Sequence, residues 1–512
     1  MKKLIYALPL VLALGACSNE ESVTAPVETD GPTGYYLSLD LRSVGTIDGV
    51  RNTTENDGTS TEEFAGQTKE NSLETATIYF YKEDGTVLKT FNDEIINSSA
   101  SPEHTVYFKL GSIDDLFPLC QGATGKVYVA VVGNATKNNF THDLTGSTKV
   151  GDAKMSSVFT SGKVAAVDFG LDSEGQILPL ASTSALDLSD AFKDISTTDD
   201  NAKRADLRAK FVDSYTYNNG QGQLWKINAS NKVELERGVA RIDFKDRTND
   251  VRKAESASLD GLDYCYLLGK RGDVIIKLQS ITTKNVLNSA YLFRHTTTAG
   301  SASGASGDIQ LFGVEKGNSG GYNWVASADW TSVSAIPASR SYADEVTVPI
   351  SSLTSRPLVG TEDDKNYKPV AYVTETTVPT RALMTDANVT SLKFKFQIMT
   401  ADGSSPLGQN LANKPSCITK ETETSLRITM PDGKSKVINW DVDGYYMVFT
   451  GMLKHNDAAE AAMEYGVVRN NAYQCSVAEV VDPDGWTDAA DMYLQLDVKV
   501  QPWQKRANEF KF

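Results

Sequence analysis

The 512-residue sequence has few of the side chains on which enzymes and metal sites depend. It contains four histidines, and none lies at metal-ligand spacing from another or beside a cysteine pair. The Asp-rich segments at 441–444 and 482–485 lack the later ligands of a calcium loop and are better explained as hairpin turns. We therefore expect a protein that is not an enzyme, with no catalytic, cofactor-binding or metal-binding residues.

Cysteine is also rare. Five cysteines with no C-x-x-C pair are too few for disulfides to carry a secreted fold of this length. The sequence leaves open whether Cys120, Cys265, Cys417 and Cys475 form disulfides.

Positive charge and long apolar runs are scarce as well. With 50 Lys and Arg against 66 Asp and Glu, the formal net charge is −16, which argues against a nucleic-acid partner. The apolar run at 4–14 follows Lys2 and Lys3, and it is too short to span a bilayer. Small residues and Cys17 come next, an order that resembles a lipobox. We predict a lipoprotein signal peptide over 1–16 and a lipid on Cys17.

Strand-type alternation dominates the rest of the chain, and long helical periodicity is rare. After a polar tether at 18–34, residues 35–41 place Tyr35, Leu37, Leu39 and Leu41 on one face of a strand. Further strands are predicted at 76–81, 126–132, 238–244, 274–278, 391–398, 425–430, 445–450 and 492–500.

Turn signals separate these runs. Nine Asp-Gly pairs, which tolerate the backbone of tight hairpin turns, lie mostly between them. The Gly/Ser/Ala-rich segment 296–308 is predicted as a long surface loop, and the RGD tripeptide at 271–273 as a turn between strands. The sequence therefore predicts an all-β fold built of sandwich-type domains.

Four segments carry a family resemblance: EEFAGQTKENSLETATIYFY at 62–81, VELERGVARIDF at 233–244, GVVRNNAYQCSV at 466–477 and VKVQPWQKRANEFKF at 498–512. In this order they resemble the Bacteroidales fimbrillins, the shaft subunits of type V pili, and most closely the Mfa1-like minor fimbrial subunit family. The segments between them match only in strand pattern.

The resemblance implies two transthyretin-like β-sandwich domains, here 52–235 and 236–512. They follow the signal peptide and a propeptide, residues 17–51, which comprises the lipidated tether and a removable first strand. It also implies a precursor lipoprotein at the outer membrane that an Arg-specific, trypsin-like protease cuts after the first strand.

The flexible polar loop that follows the first strand suits proteolysis. Cleavage is predicted after Arg51, which leaves Asn52 as the new N-terminus; Arg42 is the less favoured alternative because it abuts the strand. Loss of the first strand would expose backbone groups and apolar side chains worth about 1.5–3 kcal/mol each, so the vacated groove would attract a replacement strand.

The C-terminus offers an apolar face of matching period. Its candidate donor residues are Met492, Leu494, Leu496, Val498, Val500, Trp503, Phe510 and Phe512. The sequence leaves open whether 492–500 or 503–512 is donated while the other segment completes its own domain.

The expected function is that of a structural pilin subunit of a surface fimbria for adhesion and colonisation. Its expected partners are identical or related pilin subunits, the Arg-specific maturation protease, the outer membrane through the precursor lipid, and an unidentified host or bacterial surface receptor. A tip or anchor subunit of the same pilus is one alternative. A surface glycan-binding lipoprotein, which would need an exposed aromatic platform, is another.

Overall fold

The fold is known from a computed structural model that describes residues 34–43, 64–65, 69–94, 103–134, 141–144, 147–156, 176–217, 220–228, 232–246, 261–268, 274–301, 303–311, 324–359, 366–431, 433–455, 464–480, 492–493 and 495–504. Within these residues there are 29 strands and only three α-helices, so the prediction of an all-β fold is confirmed.

The strands up to the middle of the chain are β1 Gly34–Ser43, β2 Phe64–Ala65, β3 Thr75–Tyr81, β4 Val87–Glu94, β5 Glu103–Lys109, β6 Tyr128–Gly133, β7 Thr141–His142, β8 Lys154–Ser156, β9 Leu180–Ser182, β10 Leu186–Asp187, β11 Asp213–Tyr217, β12 Gly220–Lys226 and β13 Val233–Arg237. The later strands are β14 Ala240–Phe244, β15 Cys265–Leu267, β16 Ile275–Lys284, β17 Ser289–Tyr291, β18 His295–Ser301, β19 Gly304–Leu311, β20 Thr347–Pro349, β21 Lys368–Val373, β22 Ser391–Ile398, β23 Ile418–Thr422, β24 Ser425–Thr429, β25 Ser435–Asp441, β26 Gly444–Met452, β27 Asn471–Glu479, β28 Met492–Tyr493 and β29 Gln495–Gln504.

The helices are short. The α-helices are α1 Ser189–Phe192, α2 Asp200–Arg208 and α3 Ile350–Thr354, and 3₁₀-helices lie at Lys69–Asn71, Ile113–Leu119, Val150–Asp152 and Arg381–Leu383. No helix of the described residues has the length and apolar character needed to cross a membrane.

The first sheet has ten strands. It runs in the order β11-β12-β1-β13-β9-β6-β3-β4, with β5 paired to β1 and β10 paired to β6. Alternate side chains of β1, β3, β5, β6, β12 and β13 enter one apolar core, which Leu116 and Leu207 cover from the helical segments. The period-2 pattern of these strands is what brings their apolar side chains to the same face.

The second half of the chain forms a sandwich. A nine-stranded sheet runs β15-β16-β22-β26-β25-β24-β23, with β20 paired to β16 and β28 paired to β26. A five-stranded sheet runs β2-β29-β27-β14-β21. Phe394 and Phe449 of the larger sheet share one core with Ile242, Phe244 and Tyr473 of the smaller sheet. The two sheets therefore pack face to face, as in other β-sandwiches.

The two halves meet in a third apolar cluster. Tyr79 and Tyr81 of β3 point away from the first core and join Phe293 and Tyr372 there. The predicted domain boundary after residue 235 falls inside β13, and the chain changes sheet between β13 and β14.

The strand predictions are confirmed at 35–41, 76–81, 391–398 and the other described positions. The prediction of a surface loop at 296–308 is wrong, because this segment is the hairpin β18–β19. Small side chains lack an apolar alternation, so the segment had no strand signal, but backbone pairing does not need one.

The turns predicted at Asp84-Gly85 and at 441–444 are confirmed. Asp84-Gly85 closes the β3–β4 hairpin with Gly85 at φ +83°, and residues 441–444 close β25–β26. Residues 271–273 and 482–485 lie outside the described part of the chain.

Candidate functional site

The predicted removable strand, β1, lies inside the first sheet. Leu37, Leu39 and Leu41 are at most 1% exposed and belong to its apolar core. Tyr35 packs on the same core, with its ring centroid 4.9 Å from that of Phe211. The shared face predicted for these four residues is therefore present.

β1 has a hydrogen-bonded neighbour on both edges. It pairs antiparallel with β5 from Tyr36, opposite Lys109, to Arg42, opposite Glu103. On its other edge, residues 34–38 run parallel to β12 and residues 41–43 run parallel to β13. Removal of β1 would open a groove with two unpaired strand edges.

One side chain fills the break between β12 and β13. The amide of Asn228 accepts a hydrogen bond from the backbone N–H of Asp40 at 2.9 Å and donates one to its carbonyl oxygen at 2.9 Å. Across β1, the hydroxyl of Thr105 donates to the Asp40 carboxylate at 2.7 Å. Asn228 therefore replaces a missing strand residue, and Thr105 contacts the carboxylate itself.

The C-terminal candidate donor is held within its own chain. Residues 495–504 form β29, which pairs antiparallel with β27, while Met492 in β28 lies opposite Phe449 of β26. Trp503 lies opposite Phe64 of β2, the strand that follows the predicted cleavage loop. In this structure 495–504 therefore completes a sheet of its own chain, a role that the sequence had left open between the two C-terminal segments.

Several predicted positions lie outside the described residues. They are Cys17, Arg51, Asn52, Leu494, Phe510 and Phe512. Arg42, the alternative cleavage position, is exposed at the end of β1.

A buried network of charges joins the two halves of the molecule. Each member is at most 3% exposed, and the formal charges balance, because four arginines face four carboxylates: Arg237, Arg241, Arg294, Arg469, Glu70, Glu236, Asp243 and Glu375. We call this set the junction network.

Arg241 bonds to two carboxylates of the junction network. Its Nε and Nη2 donate to the two carboxylate oxygens of Asp243 at 2.7 and 2.9 Å, and its Nη1 donates to both oxygens of Glu70 at 2.7 and 2.8 Å. Burial would lower the pKa of Arg241, but the two carboxylates raise it above its ordinary value. The hydroxyl of Tyr372 also donates to Glu70, and burial together with that carboxylate raises the pKa of Tyr372.

These features differ in how far the sequence signals them. Arg241 and Asp243 stand two residues apart on one strand, and this spacing indicates an ion pair on one face. Charged residues that alternate with apolar ones predict an exposed face, so the burial of the pair is not signalled. Asn228 has no local signal, because its partner Asp40 is 188 residues away.

The cysteines and the possible metal ligands were the remaining candidates for a site. Cys120, Cys265, Cys417 and Cys475 are buried, and none of the four forms a disulfide in this structure. Burial raises the pKa of Cys120 to about 11. Among the described residues, no group of three or more His, Cys, Asp or Glu side chains is arranged to hold a metal ion.

The comparisons with known proteins give structural likenesses only. No protein-family model matches the chain, and no curated protein sequence matches it. A structure described as a cell adhesion protein from Parabacteroides distasonis is 10% identical with a TM-score of 0.41, covering 93% of this chain and 100% of the other. The tip fimbrial protein Mfa3 from Porphyromonas gingivalis, with a C-terminal truncation, is 11% identical with a TM-score of 0.31, covering 92% and 99%.

A fimbrial assembly protein from Parabacteroides distasonis is 11% identical with a TM-score of 0.26, covering 90% of this chain and 100% of the other. These structures are described as adhesion and fimbrial proteins. At such identities and TM-scores the likeness assigns no function on its own.

Proposed function

We propose that this chain is a structural, non-enzymatic subunit of a cell-surface fimbria that polymerises by strand exchange. The precursor carries a lipid on Cys17 at the outer membrane, and an Arg-specific protease cuts after Arg51. β1 then leaves, and a C-terminal strand of another pilin subunit takes its place. The assembled fibre serves adhesion to a surface receptor.

The position of β1 is the observation that carries this proposal. It is an interior strand with three buried leucines, yet its covalent link to the rest of the chain runs through the segment 44–63, which contains Arg51. A cut there leaves β1 held by noncovalent contacts alone. Its loss costs several buried apolar side chains, at about 1.5–3 kcal/mol each, and replacement by another strand recovers them.

The junction network supports the same cleavage position. Glu70 is fully buried against Arg241, so the segment that follows the cut is anchored to the body of the molecule. Processing at Arg51 would therefore release β1 without releasing the segment around Glu70.

Cleavage-site variants test this function. Fibres isolated from a strain that expresses the chain should begin at Asn52 on N-terminal sequencing, and Arg51→Ala should leave unprocessed monomers. Arg42→Ala is the matched control and should still be processed and assemble. A fibre subunit that begins at Cys17 would contradict the removal of β1.

A tip or other terminal subunit of the same fibre is the second candidate. The pairing of β29 with β27 favours it, because a terminal subunit has no need to donate its C-terminal strand. Immunogold electron microscopy separates the two: labels along the whole fibre indicate a shaft subunit, and labels only at fibre ends indicate a terminal one. The described residues give the glycan-binding alternative no support, since the four tryptophans whose burial the structure describes form no exposed platform: Trp225, Trp324 and Trp330 are buried and Trp440 is half-buried.

A further inference from the structure

The C-terminal strand region repeats the sequence of β1. Residues 35–42 read YYLSLDLR, and residues 492–499 read MYLQLDVK. Four of the eight aligned positions are identical: Tyr36 with Tyr493, Leu37 with Leu494, Leu39 with Leu496 and Asp40 with Asp497. The other four pairs are Tyr with Met, Ser with Gln, Leu with Val and Arg with Lys. Strand alternation explains the apolar positions, but not the matched tyrosine, acid and base.

We propose that residues 492–499 of one copy of this chain occupy the β1 groove of a second copy, in the register of residues 35–42. This inference rests on the proposed strand exchange and adds the donated segment, its register and its partner. The donor runs parallel to β12 and β13 and antiparallel to β5, as β1 does.

The apolar positions of the groove accept this segment. β1 buries Leu37, Leu39 and Leu41 in the first core, and the aligned donor residues are a leucine, a leucine and Val498. Two positions are identical, and the third is smaller by one methylene, which costs a packed core less than an inserted group typically does.

The contact from Thr105 discriminates more sharply between strands, because it requires a carboxylate at one position. Thr105 donates to the side chain of Asp40 at 2.7 Å, and Asp497 brings a carboxylate to the same place. Asn228 contacts Asp40 through the backbone N–H and carbonyl oxygen, so it would hold a replacement strand whatever side chain stood at this position. In the groove, Asn228 therefore binds the backbone of the inserted strand, and Thr105 binds its carboxylate side chain.

Charge is complementary at the end of the matched segment. Arg42 stands opposite Glu103 on β5 and Glu234 on β13. Lys499 aligns with Arg42 and brings a positive charge between the same two acidic positions.

The donated segment also has a place in its own chain, and the two places exclude each other. Within one chain, Asp497 lies opposite Ser476 of β27. In the proposed fibre it lies opposite Thr105 of the next copy, the partner of Asp40 in β1. Donation therefore requires the first half of β29 to separate from β27.

Paired cysteines distinguish these two places, because a disulfide forms only between neighbouring positions. Full-length precursors are prepared with Thr105→Cys plus Asp497→Cys, with Ser476→Cys plus Asp497→Cys, and with Tyr107→Cys plus Asp497→Cys as the out-of-register control, since Tyr107 lies opposite Ser38. Each is treated with an Arg-specific protease, oxidised and run on a denaturing gel with and without reductant. Single-cysteine variants control for the native cysteines, and circular dichroism confirms folding.

We expect a reducible ladder of covalent oligomers for Thr105→Cys plus Asp497→Cys, and its loss in the other two variants. A ladder from the out-of-register pair, or efficient disulfides within single chains of assembled Ser476→Cys plus Asp497→Cys fibres, would overturn the proposed register while strand exchange by another segment survives. If the processed wild-type chain forms no polymer, the proposed function fails and the inference falls with it.

A truncation provides a second measurement that needs no cysteine. Deletion of residues 505–512 leaves the matched segment intact, so the truncated, processed chain should still form the noncovalent ladder on a semi-native gel. A folded truncation that remains monomeric would show that the tail is the donor.

Discussion

At the scale of single residues, the junction network buries arginines and carboxylates in equal numbers. Arg241 bonds to two fully buried carboxylates, those of Glu70 and Asp243, and each of these three charges is balanced by the others. A buried ion pair adds little net stability compared with apolar residues of the same shape, but the removal of one partner leaves the other charged and unpaired.

Arg241→Met should therefore destabilise the chain by about 3–5 kcal/mol, because Glu70 and Asp243 would stay buried without their partner. Urea unfolding followed by circular dichroism measures the change. Lys420→Met is the matched control: its ion pair with Glu423 is exposed, so the expected loss is below about 1 kcal/mol. Equal effects of the two variants would contradict this account of the junction network.

His295 makes stability depend on pH. Its ring nitrogens lie 2.8 Å from the carbonyl oxygens of Phe293 and Gly151, and its ring stacks on Tyr291 with centroids 3.7 Å apart. Burial lowers the pKa of His295 to about 4, although the two carbonyls oppose the shift. In the unfolded chain this pKa is about 6.5, so the unfolded state binds more protons between these values.

The stability that neutral His295 contributes is thus fully present above about pH 6.5 and is lost as the pH falls towards 4, by about 3 kcal/mol at most. His295→Gln should flatten the dependence of the unfolding free energy between pH 7 and 4.5 relative to the unmodified chain. The comparison cancels the acidic groups that both chains share. Parallel pH profiles would show that His295 does not titrate in this window.

At the scale of secondary-structure elements, β1 lies in the interior of the first sheet and is also the first described strand of the chain. A single cut in the segment that follows it would therefore detach it from the rest of the chain. In the first sheet, β1 fills the position between β5 on one side and β12 and β13 on the other. A strand from another segment or another chain could fill the same position. A replacement has only to provide the backbone and the alternating apolar side chains.

Leu39→Ala should destabilise the precursor but not the processed fibre. In the precursor it should cost about 2–5 kcal/mol, because a fully buried leucine in the first core is lost. In processed fibres it should have no effect, since β1 has left. Leu426→Ala, buried in the second core, is the control and should destabilise both forms. Thermal unfolding of the two preparations gives the answer, and a fibre weakened by Leu39→Ala would show that β1 is retained.

At the scale of the whole molecule, the two halves are joined by an apolar cluster and by the junction network, while the predicted membrane attachment sits at the far N-terminal end. A lipid on Cys17 would hold the precursor at the membrane through a polar tether and β1. Cleavage after Arg51 would then detach the folded body from its lipid in the same step that opens the groove.

Lipidation is tested by labelling with an alkyne fatty acid. The precursor should take up the label, and Cys17→Ala should abolish it, whereas Cys120→Ala should not, because Cys120 is buried within the first core. Label that persists in Cys17→Ala would refute the lipoprotein prediction.

The all-β class and the positions of most strands could be read from the amino-acid order, because apolar alternation is a local property and residues such as 391–398 carry it within eight positions. The partners of each strand could not be read in this way. The parallel pairing of β1 with β12 and β13, and the bond from Asn228 to Asp40, join segments almost 190 residues apart. The burial of Arg241 was equally out of reach, since its environment is formed by Glu70 and Tyr372 from distant parts of the chain. Pairing and burial depend on which surfaces meet in space, and no local pattern encodes that.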